Sequence, residues 1–477
     1  MKTMLRGGWV VGHNGETHAI VRDGVCVVED DRVVHVGADY DQPVDRTIDT
    51  SGMLVSPGLV STHVHPSNNT TNFLFRDRGR PDAGGNNYLN WQMVQRGAER
   101  YQPDARASVL FGLGQPVRSG VTTAVTIGTR GNTAGYIDAV DELGVRVFMG
   151  PAYRNVVMYS KPGGEVDHDW SDERGEQGLE AAVRFVEQHQ GGLGGRLRTL
   201  LCPGHPDTCS EDIMARTARH AEELDVPVTI HAAINLGELE RVREWYGVTP
   251  IELLARVGLL APHVLLGHGV FLSGHSWTGS TGRDLALLGE HGASISHTPL
   301  KYLHIGAHLE SLRRLVEAGV NVTIGTDMPP ADIVAEMRHT MLMSRVADRS
   351  FLSGDPREVY DAATVNAARA LKADDIGRLA PGCKADIAVF DLRAFNIGAV
   401  HDPIRSLVDD AVGNQATHVM VDGRMVIEDG RFVTFDEDEV LETVQRDGEA
   451  MVADIPNWIW GSRTADEASP PSYPDLL

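Results

Sequence analysis

The chain has 477 residues, 42% of them hydrophobic, enough to bury a large core and long enough for a barrel-sized domain with a smaller companion. Its 43 Lys and Arg face 66 Asp and Glu, and the resulting formal charge of -23 argues against nucleic acid or an anionic membrane surface as a partner. The four cysteines (Cys26, Cys202, Cys209, Cys383) are scattered without a CxxC pair and read as free thiols; with no signal-like apolar core at the amino terminus and no apolar run of membrane-spanning length, a cytoplasmic setting is expected.

From Trp9 to about Val55 the chain is written in short β-rich runs, GWVVG, THAIVRDG and VCVVEDDRVVHVG, broken by Gly, Asp and Asn. The same pattern returns in GRLAPGCKADIAVFDL and THVMVDGRMVIEDGRF, where Asp422-Gly423 and Asp429-Gly430 are turn signals. Each segment is too small to stand alone. The expectation is one composite β-sandwich from residues 1–55 and 376–435. Between them, over 56–375, eight strand-like runs alternate with helical patterns: LVSPGLVSTHVH, GVTTAVTIG, VRVFMGPAY, LRTLLCPG, PVTIHAA, HVLLGHG, ASISHTP and VNVTIGTD. The helical patterns fall at 104–119, 134–143, 175–189, 211–224, 250–257, 281–291 and 308–318, with further helices at 332–345 and 356–371. Eight such units predict an α/β fold, a closed (β/α)8 TIM barrel with its active site at the carboxyl ends of the strands. Residues 436–477 read as a helix and a tail bearing Pro456, Trp458, Trp460, Pro470 and Pro471, suited to covering an edge or a neighbouring subunit.

The barrel's chemistry is concentrated at those strand ends. In SPGLVSTHVHPSNN, His63 and His65 are two residues apart, so an extended strand delivers both imidazoles to one side. Strand five ends at His231, strand six at His268, strand seven at His297 and strand eight at Asp327. A single strand-end histidine is ordinarily a hydrogen-bonded structural residue; five with a carboxylate at one end of one barrel point to a metal. Nitrogen ligands with one carboxylate suit Zn²⁺, with Fe²⁺, Mn²⁺, Co²⁺ or Ni²⁺ served by the same set.

The ordered strings PGLVSTHVH, TIHAA, LLGHG, ISHTP and IGTD, with the flanking β segments and PGCKADIAVFD, resemble the amidohydrolase superfamily over almost the whole chain. Within it, TARHAEELDVPVTIH and DTCSEDI are similar to the branch of cytosine, guanine and adenosine-type deaminases and triazine hydrolases. The resemblance implies a metal held by His63, His65, His231 and Asp327, with His268 as ligand or catalytic residue. Such an ion makes hydroxide available near neutral pH. Asp327 can then accept the water's proton and pass it to the leaving group, while His268 or His297 polarises the electrophile. A bridged two-metal centre would use a carbamoylated lysine on strand three or four; VRVFMGPAY and LRTLLCPG contain none, so one divalent ion is expected.

The sequence departs from that branch where protons move. The deaminases carry a glutamate three residues after the strand-five histidine, and this chain has Ile234. Glu238 and Glu240 follow at helical spacing, the pattern of a solvated helix face. Phe271 stands where a second histidine follows strand six, and Tyr302 and His304 stand at Asn and Lys positions after strand seven. These losses weigh against attack on a heteroaromatic ring and favour a linear amide, urea, carbamate or thiocarbamate. His297, Tyr302 or His304 is then the candidate to replace the glutamate. Deamination of an amino-heterocycle (triazine, purine or pyrimidine) is the alternative; a catalytically silent barrel used for binding or assembly is the alternative of another class. Trp91 in the Asn-rich loop 66–91, Tyr153 after strand three, Tyr302 and His304 are candidate substrate-binding residues for a small molecule. Arg76, Arg78 and Arg80 read as solvent-facing, and His205 as a marginal pocket residue. Homo-oligomerisation is expected from the resemblance.

Overall fold

The computed structural model describes residues 1–65, 101–128, 133–160, 166–413, 416–458, 462–468 and 471–473. Trp91, Arg76, Arg78, Arg80 and the rest of the loop 66–91 lie outside them.

Alternating apolar strands from the two ends of the chain need each other's apolar faces, and they meet in one sheet. A seven-stranded sheet runs Arg431–Phe432, Arg424–Glu428, Ala416–Val421, Ile387–Asp391, Met53–Pro57, Trp9–His13, His18–Arg22. Its centre is the antiparallel pairing of Ile387–Asp391 with Met53–Pro57, Val389 lying opposite Val55. The second sheet, Arg32–Gly37, Val25–Glu29, Lys2–Arg6, Arg46–Asp49, is wholly amino-terminal. Val10, Cys26, Val28, Val55, Ile387 and Val389 share the core between them. The β-sandwich is thus built from both chain ends. All four cysteines are free.

The barrel strands are Leu59–Val64 (β1), Val121–Thr126 (β2), Arg146–Met149 (β3), Leu197–Thr199 (β4), Val228–Ala232 (β5), Val264–His268 (β6), Ser294–His297 (β7) and Asn321–Ile324 (β8). Two four-stranded parallel sheets, β4-β3-β2-β1 and β5-β6-β7-β8, make up the wall. Single parallel bridges close it at two seams, Leu201 to Val228 and Val64 to Asp327. Parallel strands are covered on their outer side by crossover helices, so their residues are apolar on both faces, and β1, β2, β3, β6 and β7 are buried throughout.

Four expected elements are divided. VRVFMGPAY and LRTLLCPG each give a barrel strand followed by a two-residue strand, Ala152–Tyr153 and Cys202–Pro203, which pair with each other. LVSPGLVSTHVH is two strands rather than one: Met53–Pro57 pairs into the sandwich and Leu59–Val64 into the barrel, with Gly58 between them bonding its N–H to Asp386. A Cβ at Gly58 would lie 2.0 Å from Thr122 Oγ1, so only glycine allows the chain to cross there. The helix expected over 356–371 breaks into Pro356–Ala362 and Val365–Ala370 at Thr364 (φ -134°, ψ -98°), whose hydroxyl turns back to the Tyr360 carbonyl. A hairpin, Val156–Ser160 with Val166–Trp170, occupies what read as a loop. No helix among the described residues is long and apolar enough to cross a membrane.

Candidate active site

Four strand ends deliver the metal-type donors to one point. His63, His65 and His231 present ligand atoms within 4.8 Å of one another, as do His63, His268 and Asp327. His65 Nε2 faces His231 Nε2 at 3.2 Å, and the Nε2 atoms of His63 and His65 each stand 3.4 Å from Asp327 Oδ1. Ligands about 2.0–2.2 Å from a tetrahedral ion are roughly 3.3–3.5 Å apart, and these three donor pairs come close to that spacing. His63 is fully buried and neither ring nitrogen has a hydrogen-bond partner, a costly state for an imidazole that nothing ligates. It is seated between two glycines: a Cβ on Gly267 would come within 2.6 Å of its ring, and one on Gly325 within 2.5 Å of its Cβ.

The backbone is strained at the same places. His268 (φ 82°) and Asp327 (φ 52°) both sit in the left-handed region, at a cost of about 1–3 kcal/mol for residues with a Cβ. Burial, opposed by Asp327, lowers the His63 pKa; burial with neighbouring histidines puts His231 well below the ordinary value, and burial with Lys301 does the same for His268. These imidazoles are therefore neutral and have lone pairs to offer. Burial pushes Asp327 upward, but the Lys301 ammonium beside it outweighs that and holds it well below the usual carboxylate range.

Lys301 is not among the residues that the sequence marks, since a lysine at the metal centre is expected only on strands three and four. It reaches in from the helix Pro299–Leu303 after β7, is 6% exposed, and places Nζ 3.4 Å from Asp327 Oδ2 and 3.3 Å from His268 Nε2. An ammonium donates only, so His268 Nε2 accepts and its Nδ1–H donates to Thr298 Oγ1 at 2.8 Å. The signal in the sequence was a basic residue in the first turn after a strand-end HTP.

Glu238 is the second departure. Far from being solvated, it is fully buried in the first turn of the helix Leu236–Tyr246, with Oε2 accepting the Ile234 N–H at 2.8 Å. Asn235 caps that helix through the Glu238 N–H, which turns the first-turn side chain inward. Ile234 is itself buried, and its carbonyl accepts from Tyr302 at 2.9 Å. Tyr302 packs edge-on to His268 at 5.5 Å.

The remaining candidates spread out. His297 joins neither cluster of metal-type donors; it alternates with Ser296 and Thr298, whose hydroxyls meet Thr62 and His268, and burial lowers its pKa to about 3. Tyr153 is buried with its hydroxyl bonded to Thr217 on the helix Glu211–Glu223. His304 caps the end of the Pro299–Leu303 helix and is exposed. His205 stacks its ring on His231, centroids 4.5 Å apart.

Residues 54–426 match the Amidohydrolase family. The chain belongs to it. The chain is 28% identical over 440 residues to the 5'-deoxyadenosine deaminase of Methanosarcina mazei, covering 91% of this chain and 95% of the relative. It is 30% identical over 443 residues to the 5-methylthioadenosine/S-adenosylhomocysteine deaminase of Pyrococcus furiosus, covering 92% and 98%. Among solved structures, the adenosine deaminase of Xanthomonas campestris with bound zinc superposes with a TM-score of 0.78 at 20% identity over 94% of this chain and 98% of that one. Atrazine chlorohydrolase of Arthrobacter aurescens TC1, complexed with zinc, gives a TM-score of 0.78 at 22% identity, covering 94% and 100%. At these identities the structures speak for the barrel-and-sandwich fold. As a member of this family, the amidohydrolase is a hydrolytic enzyme acting on C–N bonds other than peptide bonds.

Proposed function

We propose that this amidohydrolase hydrolyses a linear C–N bond, that of a small amide, urea, carbamate or thiocarbamate, with one divalent ion, Zn²⁺ first, held by His63, His65, His231 and Asp327. A bound ion of this kind supplies a Lewis acid and hydroxide at neutral pH. The chain's own residues do the rest. Asp327 accepts a proton at Oδ2, the oxygen that faces Lys301 Nζ. Lys301 holds a proton within reach of the reacting group and stabilises negative charge developing on a carbonyl oxygen, an interaction strengthened by burial. His268, fixed by Thr298, keeps that ammonium in place.

The observation that carries the linear preference is position 234. A buried isoleucine stands where ring deamination calls for a proton-carrying carboxylate, and the nearby Glu238 is tied back to the Ile234 N–H. A linear carbonyl compound needs charge stabilisation at oxygen and a proton for the leaving group, which Lys301 and Asp327 supply. The second reading, deamination of an amino-heterocycle, is supported by the adenosine-derivative deaminases among the relatives. Assays for ammonia or amine release across ureas, carbamates, anilides, triazines and 5'-modified adenosines separate them. Turnover confined to the amino-heterocycles would reject the linear reading.

A further inference from the structure

We propose that His205, Asp207 and Glu238 form a second divalent-cation site, on the β4–β5 flank of the primary centre and sharing no ligand with it. One ligand atom from each of the three lies within 4.8 Å of the others. His205 and Asp207 follow the two-residue strand Cys202–Pro203, and Glu238 comes from the first turn after β5.

The charge balance of this cluster is incomplete. Asp207 is 1% exposed and Glu238 fully buried, and ionised carboxylates are buried only with a compensating cation. Arg241 answers one of them, donating from Nε (2.9 Å) and Nη2 (2.6 Å), both to Asp207 Oδ2. Glu238 Oε2 is used by the Ile234 N–H. The two other oxygens, Asp207 Oδ1 and Glu238 Oε1, are buried with no hydrogen-bond partner. Among the described residues, two carboxylates thus each keep one oxygen without a partner beside a histidine.

A divalent ion supplies what is missing, a positive charge and acceptor-directed bonds to both orphan oxygens. One nitrogen and two carboxylate oxygens suit Zn²⁺ or Mn²⁺. Ligands bound at about 2.2 Å are at most roughly 4.4 Å apart, so the set closes by a few tenths of an ångström on binding. The competing account of the same cluster is a proton on Glu238: burial and the neighbouring Asp207 charge raise its pKa well above the ordinary value. That account predicts no second ion. The stacking of His205 on His231 means that an ion here would also stiffen a ligand of the primary centre.

Metal counting separates the accounts. The full-length protein is stripped with a chelator, dialysed against excess Zn²⁺ and then against metal-free buffer, and its zinc per chain is measured by mass spectrometry. The second site predicts two equivalents in the wild type and one in Glu238→Gln. His205→Gln, which leaves both carboxylates and the Arg241 pair in place, also holds one and guards against misfolding of the first variant. His63→Ala loses the other equivalent, so failure of the primary centre is read separately. Diffraction at the zinc edge then places an anomalous peak at His205. One equivalent in the wild type, or two retained in both Glu238→Gln and His205→Gln, overturns the proposal.

Discussion

Lys301 is the side chain on which the proposed stabilisation of charge at the carbonyl oxygen rests. Burial lowers its pKa while Asp327 opposes that shift, so the pair shares a proton economy that neither residue has alone. Lys301→Met keeps the bulk and removes the charge. We expect kcat to fall about 10²–10³-fold, the usual loss on removing one preorganised charge-stabilising donor, while zinc per chain is unchanged; steady-state kinetics beside metal analysis check both, and activity within threefold of wild type would remove Lys301 from the mechanism. Part of this site was legible beforehand. His63, His65, His231, His268 and Asp327 announce themselves because strand periodicity and strand ends fix where they point. Lys301 and Glu238 do not, since both lie in first turns of helices whose direction depends on caps, Glu336 accepting the Leu300 N–H for one and Asn235 accepting the Glu238 N–H for the other. Spacing alone made Glu238 look solvated; the rotation imposed by its cap buries it.

Between elements, one buried arginine ties the barrel to the sandwich. Arg146 opens β3 and is fully buried, donating from Nε to Asp386 Oδ2 (2.8 Å) and from Nη2 to Asp386 Oδ1 (3.0 Å) and Asp422 Oδ1 (3.1 Å). Nη1 donates to the Gly195 carbonyl at 2.9 Å. Asp386 in turn accepts the Asp422 N–H, so the Asp422-Gly423 turn, legible as a turn in the sequence, is also held by the barrel. Removing Arg146 leaves the buried Asp386 carboxylate without its cation, typically a loss of about 3–5 kcal/mol, while Asp422 keeps Lys384 Nζ at 2.8 Å. Arg146→Met is expected to lose that much in denaturant titrations; a loss under 1 kcal/mol would mean water replaces the guanidinium. The alternation of strands and helices was readable because it follows from periodicity. Where one apolar run serves two sheets, as at Pro57-Gly58, periodicity is continuous and only the partner strands divide it.

Across the whole molecule, two couplings set stability. The first is to protons. Burial lowers the His18 pKa from 6.5 to about 4, its Nε2 lying against Thr364 where the sandwich meets the helices after β8. Above pH 6.5 the ring is neutral folded or unfolded; as pH falls from 6.5 towards 4 only the unfolded chain takes the proton, and stability drops by up to roughly 3 kcal/mol. His18→Gln should flatten that part of the stability profile in urea melts between pH 7 and 4.5; an unchanged slope would assign it elsewhere. The second coupling is to the metal. The wall closes between β1 and β8 by one bridge, Val64 to Asp327, with three hydrogen bonds: Thr326 N–H and Asp327 N–H to the His63 carbonyl at 3.0 and 2.8 Å, and His65 N–H to the Asp327 carbonyl at 3.2 Å. His63 and His65 come from one side of this seam and Asp327 from the other, so an ion held by them as proposed would staple the barrel shut there. An ion at a hundred times its dissociation constant adds about 2.7 kcal/mol. Chelation is therefore expected to lower Tm and to speed amide exchange at His65, Thr326 and Asp327, while the β2–β3 amides and those of the sandwich, remote from the ligands, keep their protection. Hydrogen exchange read by mass spectrometry on the stripped and zinc-loaded protein tests this directly; uniform deprotection across barrel and sandwich would show the metal acting on the fold as a whole rather than on its seam.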